Sequence, residues 1–403
     1  MKYPICFWNT NTLENCVPNL VETWHDLGIT VAMSPSYKRD DKYKMLKILD
    51  EAQDFGIKVI LCDYRTHWKV LTSNGQDEYR LLAEEAHADY GHHPAVFGFF
   101  IGDEPEAHQI DDALCAMRIH QEISPDLTAY LNLLPWFDWI GERMGTDALA
   151  PYLDRVKNEG NAKLLSYDCY TQMWEGERGY DDYFNNLREY YLATKRLNTP
   201  YWNIVLATGH YYYRCPSKID MMWQFNTSVA HGASGVSWFY IHQTDLWDNY
   251  RNAAINPLGE RTQTFYDLSE VNRMFNAYCG YVITKLKIDK CFHVEKAYGG
   301  NELFTPFDNV LSVSSENKTP LIFSSFKDEE GRTYYIVCCN SIKNNTLATI
   351  KVKDTVRLEK CLMGGRFVPI RPHTDPIGHR EGQSAHSVNI WLAPGQLVLL
   401  REA

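Results

Sequence analysis

Residues 97–107, FGFFIGDEPEA, place two neighbouring carboxylates, Asp103 and Glu104, at the end of a strongly apolar run. Two acids side by side repel when both are ionised, so one proton is held more tightly and one pKa rises. A carboxyl that keeps its proton near neutral pH can donate it to a departing oxygen, which is general acid chemistry. Pro105 follows and prevents the strand from continuing. The competing reading is a helix cap, because Asp is a good N-cap and Pro suits a first helical turn.

Other chemistries find no such footing. The sequence has no GxSxG elbow and no P-loop. No pair of His with a carboxylate has metal-site spacing, so neither a metal nor another cofactor is expected. The net charge of −11, without a basic run, argues against nucleic acid and against an anionic membrane surface. No apolar stretch approaches the ~20 residues of a membrane span, and MKYPICFWNTNT lacks the apolar core of a signal peptide, so a cytoplasmic chain is expected. The 11 Cys, an odd number without ligand spacing, read as buried thiols of a reducing compartment. Cys338 and Cys339 should alternate faces of a strand and so make poor partners for each other. The aromatic content is high, with 26 Tyr, 17 Phe and 11 Trp. A core absorbs many of these, but flat apolar rings also suit a carbohydrate partner.

The elements that must position Asp103 and Glu104 show as a period. Short apolar runs stand at residues 3–8, 29–33, 58–62, 96–101, 127–133, 164–167, 202–207 and 235–240. Amphipathic stretches separate them, among them residues 39–55, 182–197, 217–231 and 264–284. Eight apolar strands alternating with helices indicate a parallel sheet covered on its outer face, and this length fits a closed (β/α)8 TIM barrel over residues 1–286. A doubly wound open sheet is the runner-up, but FWNTNT, not a Gly-rich phosphate turn, follows the first run. From residue 287 to 403 the pattern changes to short alternating strands (LIFSSF, TYYIVCCN, VNIWL, LVLL), which predict an antiparallel β-sandwich domain. No Pro/Gly/Ser linker separates the two, so a shared interface is expected.

A barrel turns this into a site prediction, because active sites lie at the C-terminal ends of its strands. The candidate substrate-binding residues there are Trp8, Asn9, Asp63, Trp68, Asn132, Tyr170, His210, Trp238, Tyr240 and His242, with Asp245 beyond them. Trp68, Trp136, Trp174, Trp238 and Tyr240 are expected to include at least two platforms for sugar rings. The catalytic candidates are Glu104, Asp103 and Asp168, the last at the end of the sixth run. Asp63 has a bland alternative, anchoring a loop, and so does Asp168, whose structural alternatives are anchoring a loop or pairing with Arg65. If Asp168 serves as a base for water, strands two steps apart put its carboxyl ~6.5–9.5 Å from that of Glu104.

The motif FGFFIGDEPEA resembles the fourth-strand motif of barrel glycoside hydrolases, in which a Glu followed by Pro is the general acid/base. Residues 223–243 (WQFNTSVAHGASGVSWFYIHQ) and 253–275 are similar to the eighth-strand region of β-galactosidase-like barrel glycosidases. The resemblance spans residues 95–285 and implies a glycosidase acting on an oligosaccharide or glycoside, with Glu104 as acid/base. Two departures stand out. Where the large retaining clan has Asn before the acid/base, this chain has Asp103, and YWNIVLATGHYYYR contains no acid where that clan has its nucleophilic Glu. The Asp-Glu pair is instead similar to that of β-N-acetylhexosaminidases, in which the Asp orients a substrate acetamido group that acts as nucleophile. A water activated by a carboxylate and a substrate-assisted route both remain open. So do two other classes: a lyase or transglycosylase, and a carbohydrate-binding barrel that has lost catalysis.

Overall fold

The computed structural model describes residues 2–9, 11–16, 19–243, 249–371, 382–384 and 387–403. The first eight strands are parallel. They are β1 (Ile5–Phe7), β2 (Val31–Met33), β3 (Lys58–Leu61), β4 (Val96–Asp103), β5 (Thr128–Leu133), β6 (Leu165–Asp168), β7 (Tyr201–Leu206) and β8 (Gly235–Phe239). They pair in the order β1-β8-β7-β6-β5-β4-β3-β2. The ring closes between its two ends, where the Thr30 N–H donates to the Ile5 carbonyl at 3.0 Å. The sheet is a closed barrel.

Helices connect the strands: α1 (Leu20–Asp26), α2 (Lys42–Asp54), α3 (Trp68–Asn74), α4 (Gln76–Tyr90), α5 (Ile110–Ile123), α6 (Gly141–Met144), α7 (Leu149–Gly160), α8 (Tyr180–Leu197), α9 (Lys218–Ala230) and α10 (Gln263–Phe275). Alternation along each strand divides the side chains between two cores. Cys6, Ile60, Cys62, Tyr130 and Trp202 pack together inside the barrel. Their strand neighbours Ile5, Phe7, Leu61, Leu131 and Val236 join the helices in the outer core.

Among the described residues of the C-terminal region, ten further strands, β9 (Lys287–Val294) through β18 (Leu397–Glu402), form two antiparallel sheets of four and six strands. One face of the larger sheet meets the smaller through Phe323, Val337, Cys339 and Leu400. Its other face, with Ile322, Ile336, Cys338 and Leu399, packs on the barrel helices. Burial on both faces explains why TYYIVCC reads as a continuous apolar run, and Cys338 and Cys339 do alternate faces. None of the eleven cysteines is in a disulfide. Polar contacts fix the junction: Trp223 Nε1 donates to Asn340 Oδ1 at 2.9 Å, and Asn226 Nδ2 donates to the Gly395 carbonyl at 2.8 Å. Among the described residues no helix is long and apolar enough to cross a membrane.

Candidate active site

The end of β4 is built around close approach. A Cβ on Gly102 would lie 2.2 Å from Cδ1 of Trp68, so only glycine lets that indole lie against the strand. Asp103 is the last strand residue, and Glu104 follows with φ 42°, a left-handed conformation that is costly for a residue with a side chain. Its N–H is held by the Asn132 carbonyl at 2.9 Å, and Pro105 comes next. The helix cap is ruled out, because α5 starts only at Ile110 with Gln109 at the N-cap position.

Asn132 of β5 organises the carboxylates. Its Nδ2 donates to Asp103 Oδ1 at 3.0 Å and to Asp168 Oδ1 at 2.9 Å. The N–H bonds of one amide diverge by about 120°, so these two oxygens stand about 5 Å apart. The Asn132 Oδ1 accepts from Ser166 Oγ at 3.2 Å, and Ser166 Oγ is 2.8 Å from the Tyr130 hydroxyl. All three residues are buried, so the amide cannot rotate without stranding a polar group. The Tyr170 hydroxyl also reaches Asp168.

Crowding of three acids sets their protonation. Burial raises Asp103, the Asp168 charge adds to it and the Asn132 donor opposes it, leaving the carboxyl at about 7. Asp103 keeps a surface open to solvent while protein crowds its carboxyl, as on the floor of a recess. Glu104 is pushed well above the ordinary carboxylate range by burial, then by the charges of Asp168 and Asp103. Arg143, whose Nη2 is 3.9 Å from Glu104 Oε2, opposes that rise. Burial raises Asp168 as well, and Glu104 and Asp168 lie within hydrogen-bonding reach of each other. This corrects the separation of ~6.5–9.5 Å expected for a water-activating pair. The Asn132 amide, bonded to Asp103 of β4 as well, holds Asp168 on that side.

Strand alternation sorts the remaining candidates. On β8, Trp238 is fully buried and its Nε1 donates to Asn272 Oδ1 of α10 at 2.9 Å, so it faces the helices and is no substrate platform. Tyr240, just past the end of β8 and 3% exposed, offers no open ring either. Phe239 between them points inward against Tyr170 and His210, at 5.2 Å from each ring. His242 packs on Phe7 in the outer layer, and burial holds its ring neutral with a pKa of about 4. Asp63 is buried and paired with Arg65 at 2.7 Å, and Arg65 continues to Asp89 at 2.9 Å. Asp63 is therefore a loop anchor, and Arg65 is not the partner of Asp168. The Asn9 side chain is spent on its own loop, accepting from Asn11 N and donating to the Met33 carbonyl. Trp68 is 2% exposed and lies beneath β4, with no face left for a ring. His210 is buried behind Tyr170 with Nδ1 on the Thr208 carbonyl, and burial lowers its pKa. Asp245 lies outside the described residues.

Trp8 is half-buried with its ring edge-on to Phe100 of β4. Trp174 is half-buried too, stacked on Tyr213 at 6.3 Å and 7°, with the Arg178 guanidinium 5.1 Å above it. Burial raises the Tyr213 phenol, and its ring meets that of Tyr170 edge-on at 5.8 Å. Sequence reasoning missed Phe239, Tyr213, Ser166 and Arg143. Inward parity could have found Phe239 and Ser166, whereas the loop residues Tyr213 and Arg143 carry no periodic signal. Among the described residues no cluster of His, Cys, Asp and Glu could hold a metal ion.

No protein-family model matches this sequence, and no curated protein matches it. Solved structures do match in fold. A family 39 glycoside hydrolase from the gut symbiont Bacteroides cellulosilyticus WH2 aligns over 100% of this chain and 81% of its own, at 12% identity and a TM-score of 0.51. A glucosidase from Croceicoccus marinus aligns over 100% of this chain and 95% of its own, at 11% identity and a TM-score of 0.50. The β-galactosidase from the psychrophilic Marinomonas ef1 is covered over 60% of its length, at 13% identity and a TM-score of 0.48. At these identities the likeness is one of fold: a (β/α)8 barrel followed by a β-sandwich, the architecture of solved glycoside hydrolases.

Proposed function

We propose that this chain is a glycoside hydrolase in which Glu104 is the general acid that protonates the departing glycosidic oxygen. One observation carries the reading: Glu104 stands at a barrel strand end within proton-sharing reach of Asp168 and beside Asp103, so it keeps its proton at neutral pH. The fold shared with a family 39 glycoside hydrolase and a glucosidase supports it. In this reading Asp168 holds the proton on Glu104, and its negative charge faces the carbon that becomes positive as the bond breaks. Asp103, fixed through the same Asn132 amide, is the orienting group. Strand β7 runs out into Ala207, Thr208, Gly209 and His210, so no enzyme carboxylate is assigned as nucleophile there. The Glu104–Asp168 contact leaves no space for a water between the two acids. That favours a nucleophile brought by the substrate, a 2-acetamido group held by Asp103 and Asp168.

The test is Glu104→Gln assayed on two substrates of one sugar, an oligosaccharide and an activated aryl glycoside. Positioned proton transfer typically contributes ~10²–10⁴-fold, so turnover on the oligosaccharide should fall by about that much. The aryl glycoside, which needs little protonation, should be affected less at bond cleavage. Equal losses on both, or survival within a few fold on the oligosaccharide, remove Glu104 as the acid. Screening both substrate types with and without a 2-acetamido group tests the nucleophile.

A further inference from the structure

The loop after β5 carries a feature that the chemistry above does not use. Trp139 is 75% exposed, and its ring lies flat on that of Phe137, 5.3 Å away at 6°. The backbone that carries the two rings is fixed. Residues 137–140 form a β-turn closed by Ile140 N to the Phe137 carbonyl at 3.0 Å, with Ile140 itself buried. One residue upstream, the fully buried Asn186 of α8 clamps Trp136 through both backbone groups, at 2.8 and 2.9 Å. The indole is thus a fixed apolar plate turned to solvent.

Its position relative to Glu104 follows from the chain. Arg143, four residues on, has its Nε 2.8 Å from Glu106 Oε1 and its Nη2 3.9 Å from Glu104 Oε2. Four residues span at most about 14 Å between backbones, so the plate belongs to the same loop segment as the residue that touches the acid. An acid that protonates a leaving group stands on the leaving-group side of the broken bond, and Glu104 is the carboxylate that this loop meets through Arg143.

We infer that Trp139, backed by Phe137, is a platform for a sugar of the leaving group, and that the substrate is therefore an oligosaccharide or polysaccharide chain. This rests on the glycoside hydrolase reading. A pyranose presents C–H groups on its face and hydroxyls on its edge, which matches an indole set flat and open.

The experiment compares Trp139→Ala with the parent chain on α- and β-linked gluco-, galacto-, manno- and 2-acetamido oligosaccharides of two to six sugars, and on the 4-nitrophenyl monoglycosides of the same sugars. Loss of one stacked ring should raise KM for the cleaved oligosaccharide about tenfold. KM for the nitrophenyl glycoside, which has no leaving-group sugar, should stay unchanged, and so should the melting temperature, because the ring is exposed. Equal effects on both substrates, or none, overturn the platform. Binding is measured in parallel on an array of the same oligosaccharides with Glu104→Gln and with Glu104→Gln/Trp139→Ala. If no sugar is hydrolysed but binding is seen and lost with Trp139, Trp139 remains a sugar platform, and the hydrolase reading falls together with the leaving-group assignment. If no sugar binds, both fall, and capture of a protein in place of a sugar counts in the same way.

Discussion

The carboxyls of Glu104 and Asp168 stand within hydrogen-bonding reach of each other, although β5 separates their strands. Two acids this close titrate as a unit, with one proton held to high pH and shared between them. Asn132 links that unit to Asp103, so a change at any of the three carboxyls is felt at the others.

Asp168→Asn should therefore move the pH profile more than it moves the fold. Glu104 must be protonated to act, so kcat/KM falls as pH rises through its pKa. The Asp168 charge is the largest electrostatic cause of that raised value. Its removal should shift the alkaline limb of kcat/KM to lower pH by on the order of one unit, with the melting temperature maintained. An unmoved limb would mean that Asp168 does not hold the proton.

Asn132→Ala should act in the opposite direction on Asp103 and Asp168. Both lose a donor that favours their ionised form, so both should titrate at still higher pH, and the acid limb of the profile should move up. The substitution also removes one of the two buried partners of Ser166 Oγ, leaving only Tyr130, and a buried hydrogen bond lost in this way should cost about 1 kcal/mol of stability. A loss of stability with an unchanged profile would leave Asn132 a purely structural residue.

The acids should also make the protein less stable as pH rises. Asp103 sits at about 7 in the folded chain against an ordinary value of 3.8, so the folded state binds more protons across that interval. Stability from this group is complete below about pH 4 and declines as pH passes 7. His87, His231 and His242, held near 4 by burial, act oppositely, so the comparison must be with a variant that keeps them. Melting temperatures at pH 5 and pH 8 make that comparison: Asp103→Asn should gain relative to the parent chain at pH 8. The gain stays below what full burial would give, because Asp103 remains open to solvent. No change in the difference between the two pH values would show that the carboxyl is not raised.

Much of this was legible in the sequence, and the exceptions have a common cause. Eight apolar runs dictated the barrel, because both faces of each strand are covered. Asp103, Glu104, Asn132 and Asp168 end their strands, and the Asp-Glu-Pro order made the acid pair conspicuous. Trp238 and Tyr240 misled because large aromatic residues attract attention, while on β8 the inward parity belongs to Ser237 and Phe239. Asp63 misled in the same way: the interior side chain of that strand end is Cys62, one residue earlier. Trp139 was invisible because an exposed aromatic in a turn belongs to no period. The contact between Glu104 and Asp168 was out of reach for another reason, since it depends on how far two side chains lean across a barrel whose width the sequence does not state.

The last expectation concerns the glycine that lets the acids sit where they do. Gly102 has φ 154°, and a Cβ there would fall 2.2 and 2.3 Å from Cδ1 and Nε1 of Trp68, far inside contact distance. Trp68 is 2% exposed and cannot swing away freely, so Gly102→Ala must displace either the indole or the strand end bearing Asp103 and Glu104. Overpacking of this kind costs typically about 1–3 kcal/mol, and turnover should fall with it because the carboxyls move. Trp68→Ala alone leaves a cavity, which also destabilises. The double variant removes the clash but keeps the cavity, so it should be more stable than the sum of the two single losses implies, a positive coupling between contacting residues. Melting curves for the four proteins measure that coupling. Strict additivity would show that the indole does not press on Gly102, and the account of how β4 presents Glu104 would lose its steric basis.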